Sequence, residues 1–125
     1  CLKLLEKYYA VDIGLRYLLL GQKANDTGHI LENVVYLELI RRGYKVYVGK
    51  IGDMEIDFVA QNQEGNTYIQ VSASVRDENT LQRELRPLQL VRDSYPKLLL
   101  TLDDDPTADF DGIKKKNAIE WLMGI

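Results

Sequence analysis

The sequence predicts an α/β domain with elements in the order helix, three-stranded meander, helix, strand, and a mixed central sheet flanked by helices. Three observations carry this. A helical stretch ends at Gly43, the residues after it alternate in strand fashion between glycine-bearing turns, and a second helical stretch separates the third and fourth strands. A helix in that position is the usual link between parallel neighbours, so the sheet is expected to be mixed.

The opening stretch, Cys1 to Leu20, mixes leucine, tyrosine and charge, and Leu15 to Leu20 is expected to form a short helix. Gln22 to Gly28 (QKANDTG) reads as a polar loop, with Asp26 or Thr27 capping the helix after it. That helix is expected from about His29 to Arg42, stopped by Gly43 at the left-handed C′ position. Strands follow at Lys45 to Lys50, Met54 to Gln61 and Thr67 to Ser74, joined by turns at Gly52-Asp53 and at Gln63 to Asn66. In the second helical stretch, about Glu78 to Ser94, Leu81, Leu85 and Leu88 have the i, i+4, i+7 spacing of a buried stripe. Pro87 should kink that helix and Pro96 should end it. Lys97 to Leu102 reads as a buried strand and Asp103 to Asp111 as an acidic loop. A short strand near Ile113 and a helix from Asn117 to Met123 close the chain.

The 125 residues suit one ordinary domain, and 46% hydrophobic with 28% charged residues is a globular composition. A net charge of −3 argues against a surface that coats nucleic acid indiscriminately, although local basic patches are compatible with it. The lone cysteine, Cys1, has no internal partner, and a reducing cytoplasm is the expected location. No apolar run approaches the roughly 20 residues that span a bilayer. Because the chain opens on Cys1, it reads as a piece of something longer. Residues 1–28 are expected to be an N-terminal connecting segment and residues 29–125 the α/β domain.

Three positions suggest chemistry. Glu32 has Val35, Tyr36 and Leu39 at i+3, i+4 and i+7, which sets a carboxylate on an apolar stripe; Glu38 is expected on a different face. In the second strand, alternation places Glu55 and Asp57 on one face and Ile56 and Phe58 on the other. In the third, Gln70, Ser72 and Ser74 share a face. If those strands pair through the Gln63 to Asn66 turn, Asp57 and Gln70 meet beneath the helix that carries Glu32. Together they form an oxygen-rich pocket of the type that hard cations such as magnesium prefer. Plain alternatives stand beside this: solvated strand carboxylates, a half-buried Glu32 bonded to a neighbour, and ordinary polar strand residues at Gln70 and Ser72.

The run GHILENVVYLELIRRGYKVYVGKIGDMEIDFVAQ, followed by YIQVSAS and YPKLLLTLDDDP, resembles the uncharacterised domain at the C-terminal end of many prokaryotic AAA-type ATPases. That domain is identified as a member of the PD-(D/E)xK nuclease-like superfamily, with the restriction-endonuclease-like fold. The resemblance extends over essentially all of the chain, including KYYAVDIGLR near its start. It implies that Asp57 stands at the metal-binding aspartate, Glu32 at the first-helix glutamate, and Gln70-Val71-Ser72 at the (D/E/Q)-x-K strand. In an active member these oxygens hold magnesium, and the lysine orients or deprotonates the attacking water. Here Ser72 replaces the lysine, with neither its charge nor its reach, and loss of one such electrostatic contact costs on the order of 100-fold in rate. Lys50 or Arg76 are candidates for a relocated cation.

The other motifs are plainer. His29, the only histidine, reads as a surface or capping residue. Arg76, Arg83, Arg86, Arg92 and Lys97 read as a solvated face interleaved with acids, and Lys114-Lys115-Lys116 as a weak phosphate signal. The eight tyrosines suit core edges, with Tyr8 and Tyr9 placed to meet a preceding module. No G-x-x-x-x-G-K-[ST] loop is present, so ATP is expected to act only through a separate module of the parent chain. The leading expectation is a catalytically inactive or impaired accessory domain of a larger ATPase, recognising a protein or nucleic-acid partner. Its competitors are an active magnesium-dependent DNA nuclease and a dimerisation module.

Overall fold

In a computed structural model of the chain, residues 24–124 are described. They form nine elements in chain order. These are α1 (Ala24–Arg41), β1 (Lys45–Ile51), β2 (Met54–Asn62), β3 (Gly65–Val71), α2 (Glu78–Leu90), β4 (Lys97–Thr101), β5 (Ala108–Phe110), β6 (Ile113–Asn117) and α3 (Ala118–Met123). One six-stranded sheet runs in the order β1-β2-β3-β4-β6-β5. The β1-β2-β3 meander is antiparallel, and β3, β4 and β6 are parallel neighbours, so the sheet is mixed as the crossover helix implied. Among the described residues no helix is long and apolar enough to cross a membrane.

The two faces carry separate cores. On one, α1 and α3 bury Leu31, Val35, Leu39, Ala118 and Trp121 against Ala60, Ile69, Val71 and Leu100. On the other, α2 buries Leu85 and Leu88 against Ile56, Val75, Leu99 and Ile113. Consecutive buried leucines in β4 supply both sides, Leu99 facing α2 and Leu100 facing α1, as expected of a strand covered on both faces.

Several local expectations need correction. The first helix begins at Ala24, so Asp26 and Thr27 lie inside it rather than capping it, and Gln22 to Gly28 is not wholly a loop. Glu38, expected on a different face from Glu32, takes a setting that the spacing did not specify. It is buried, as are Val34 and Leu39, while Tyr36 is exposed. The helix therefore turns a different stripe inward, and Arg41 and Arg42 make burial of the Glu38 carboxylate tolerable by donating three hydrogen bonds at 2.6–2.7 Å. The third strand stops at Val71, and Ser72 to Ser74 lie outside it. The second helix ends at Leu90, with Pro87 in its last turn, where its missing N–H costs one helical bond, the one to the Arg83 carbonyl upstream. Inside the expected acidic loop, β5 forms a hairpin with β6 through Asp111 and Gly112, whose φ angles of 52° and 93° are those of a two-residue type I′ turn. The short helix expected at Leu15 to Leu20 lies outside the described residues.

Strand β2 departs from simple alternation. Tyr47 is opposite Val59, yet Gly49 is opposite Ile56, so two steps along β1 match three along β2. The extra residue is a β-bulge at Asp57-Phe58, and it reverses the phase of the strand. Ile56 faces the α2 core, whereas Phe58 and Ala60 face the α1 core. The expectation that Ile56 and Phe58 share a face fails for this reason. Opposite the bulge the strands approach closely: a Cβ at Gly49 would lie 2.8 Å from Cγ2 of Val59.

Candidate functional site

Pairing of β2 with β3 ends at Phe58 and Ile69. Beyond that pair the two strands part, and side chains replace the ladder. The Asp57 N–H donates to Oε1 of Gln70 at 2.8 Å, and the Val71 N–H donates to Oδ2 of Asp57 at 2.8 Å. Gln70 is buried and faces α2, where its Nε2 donates to the Glu84 carbonyl at 3.1 Å. Its amide thus ties three elements together.

Helices reach this split from both faces. From α1, the carboxyl of Glu32 comes within hydrogen-bonding reach of Asp57. From α2, Glu84 feels the charges of both Asp57 and Glu32. The consequence is electrostatic. Burial pushes the Asp57 carboxyl up to about 6, against the Val71 N–H and with reinforcement from Glu32 and Glu55. Burial and the Asp57 charge push Glu84 up to about 7, against the nearby Arg83. Near neutrality this cluster holds protons that exposed carboxyls would have lost.

Glu32 and Asp57 are brought together as the sequence spacing suggested, but Gln70 faces α2 and not the helix of Glu32, because its neighbours Ile69 and Val71 face α1, so it joins the site through the Asp57 N–H and not beneath α1. Glu84 was missed, although its signal was the one that singled out Glu32: it lies i+3 from Leu81 and i−4 from Leu88, inside an apolar stripe. Ser72 lines a cleft of about 450 Å³ with Glu32, Asp57, Arg83 and Glu84, but its hydroxyl donates to the Ser74 carbonyl at 3.0 Å. A second cleft, of about 400 Å³, lies between the β1-β2 hairpin and α2 and is lined by Met54, Asp57, Gln70, Arg83, Glu84 and Arg86. A larger hollow of about 640 Å³ sits by Gly43 and the Gln61 to Glu64 turn and contains none of these groups. It has no part in the site.

The cations fall elsewhere than expected. Arg76 is engaged by the acidic loop, 2.6 Å from Asp104 and within 4 Å of Asp103 and Asp105. Lys50 is across from Glu55 in the hairpin. Arg83, read from the sequence as part of a solvated face, is the basic side chain that lines both clefts. His29 is exposed, with Nδ1 3.8 Å from Glu32.

Magnesium does not fit this arrangement as a closed ligand set. One Asp57 oxygen is held by the Val71 N–H and the Gln70 oxygen by the Asp57 N–H. Among the described residues no group of three or more acidic, histidine or cysteine side chains is arranged to hold a metal ion.

No family model matches the chain, and no solved structure matches it. Over 122 residues, 98% of its length, the chain is 39% identical to a Haemophilus influenzae protein described only as uncharacterised. The chain spans 30% of that relative's length.

Proposed function

We propose that this is a restriction-endonuclease-like accessory domain of a larger AAA-type ATPase, catalytically inactive, that recognises a protein or nucleic-acid partner while a separate module hydrolyses ATP. The observation that carries this is the meeting of Glu32 and Asp57 at the β2-β3 split, beside a Gln70 amide already committed to backbone partners. The carboxylates stand where the superfamily resemblance puts a hydrolytic centre. At the lysine position, Ser72 supplies no charge and donates to its own loop. With the lysine position neutral and the Gln70 oxygen engaged, the site lacks the fixed ammonium that would steady a developing negative charge. The test is a plasmid-nicking assay with magnesium and with manganese. No cutting above background is expected, and robust cutting that disappears in Asp57→Ala protein would refute inactivity.

A second reading, an active metal-dependent DNA nuclease with a relocated cation, draws on one observation: Arg83 lines both clefts beside Asp57 and Glu84. Calorimetric titration separates the two. Tight metal binding abolished by Asp57→Ala or Glu32→Ala favours the nuclease, and no binding at millimolar metal removes it.

A further inference from the structure

The sheet has two outer strands that differ in kind. β5 is three residues long, too short to template another strand, whereas β1 has seven residues and no proline, with charges only at Lys45 and Lys50. Exposed apolar side chains stand on both of its faces: Tyr47 is 53% exposed and Val48, on the opposite face, 65% exposed. Among the described residues β1 has no neighbour on its outer side, and a long edge of this sort templates pairing with another chain unless something blocks it.

We propose that β1 is a self-association edge, pairing antiparallel with β1 of a second copy about a two-fold axis at Val48. The strand is self-complementary in that register. Val48 meets its own counterpart, and Tyr47 lies across from Gly49 of the second copy, an aromatic ring over a residue with no side chain. Lys45 lies across from Ile51 and diagonal to Asp53, the exposed acid in the turn just beyond, so two symmetric Lys45–Asp53 attractions form at the ends of the pair. Lys50 lies across from Val46 of the second copy and keeps Glu55 of its own hairpin as a neighbour, so no lysine faces a lysine. An isologous contact of this type closes on itself as a dimer with one continuous twelve-stranded sheet, made from two sheets of six. It stands apart from the chemistry of the Asp57 cluster and holds whether or not that cluster binds anything.

The test is the mass in solution of the full 125-residue chain, measured by light scattering up to about 100 μM, a range in which weak standard-size interfaces are populated. Twice the 14.4 kDa chain mass is expected, falling to the single mass in Val48→Lys, which sets like charges against each other on the axis. Because Val48 is exposed, the variant should keep its circular dichroism spectrum and melt as a folded monomer. In a Cys1→Ser background, Val48→Cys should cross-link to its counterpart with a short bis-maleimide, and Lys45→Cys, whose counterpart lies six residues or about 20 Å along the second strand, should do so far more slowly. A dimer indifferent to Val48→Lys would place the contact elsewhere and overturn the assignment. So would a monomer at every concentration, whether the Val48→Cys thiol reacts rapidly, as an open edge, or slowly, as one covered from within the same chain.

Discussion

Gln70 holds the backbone of Asp57 at the point where the β2-β3 ladder has ended. Its Oε1 accepts the Asp57 N–H at 2.8 Å, one residue past the last ladder pair, while its Nε2 reaches back to α2. The residue that aligns with a hydrolytic ligand thus serves here as a structural rivet.

Gln70→Ala should therefore cost about 2–3 kcal/mol of stability, because a buried N–H and a buried carbonyl lose their partner together. Urea denaturation measures it. A loss under about 0.5 kcal/mol, the range of an ordinary surface substitution, would show that the bridge contributes little.

The acid cluster sets a pH dependence of definite sign. Asp57 and Glu84 titrate at about 6 and about 7 when folded, above the usual carboxylate range, so the folded chain binds protons that the unfolded chain releases. Stability should be fully present below about pH 4 as far as these groups are concerned, and decline as pH rises from about 4 to about 7. Asp57→Asn keeps an oxygen for the Val71 N–H and removes the charge. It should raise stability at about pH 8 by about 1–2 kcal/mol, allowing for screening at a half-buried site, and flatten the decline. Thermal melts of both proteins across that range give the slopes.

Glu38 works in the opposite direction. Burial would raise its carboxyl, but hydrogen bonds and charge from Arg41 and Arg42 hold it below the ordinary value. Its contribution is present above the unfolded pKa and is lost as pH falls through the folded one. Glu38 thus opposes the cluster: its contribution is lost on the acid side, below about pH 4, where that of Asp57 and Glu84 is fully present. Glu38→Ala removes the carboxylate that Arg41 and Arg42 share and loosens the hold of Arg42 on Trp121, where it donates to the carbonyl at 2.7 Å and stacks 4.2 Å from the ring. The expected loss is about 3 kcal/mol, read from urea denaturation at neutral pH. Glu32→Gln, by contrast, should be neutral or stabilising above neutrality, since it relieves Asp57.

Ser72→Lys returns an ammonium to the cleft it shares with Glu32, Asp57 and Glu84. Stability at about pH 8 should rise by about 1 kcal/mol as the carboxylates gain a counter-charge. Nicking activity should stay at background, because Gln70 remains bonded to the Asp57 N–H. Activity in this single variant would show that the lysine alone was lacking.

Much of the fold was legible in the sequence because it depends on period and punctuation. Gly43, the Gly52 turn and the Leu81, Leu85, Leu88 stripe mark elements that the structure contains within a few residues, and the crossover helix implied parallel β3 and β4. What escaped depends on tertiary geometry. A bulge leaves no mark in a run such as MEIDFVAQ, so the phase reversal between Ile56 and Phe58 could not be seen. The burial of Glu38 left no sign in the sequence, because its two arginines follow it within one turn and resemble an ordinary charged helix end. Asp26 looked like a cap because short polar residues favour helix starts, yet the helix already begins two residues earlier, at Ala24. Of the candidate site, Glu32, Asp57 and Gln70 were readable from spacing, whereas Glu84 escaped by being read as one acid among arginines rather than as a break in the leucine stripe.

The out-of-step residue at Asp57-Phe58 implies an asymmetry in what this segment can survive. Swapping side chains there alters a site; deleting Asp57 would let two residues of β2 face two of β1, a regular ladder that keeps Ile56 toward α2 and Phe58 toward α1, whereas one more inserted residue would roll the tip of the hairpin over. A library of variants should accordingly recover folded members that lack Asp57 beside near-complete rejection of one-residue insertions, so that the added residue is held for its chemistry and not for strand length.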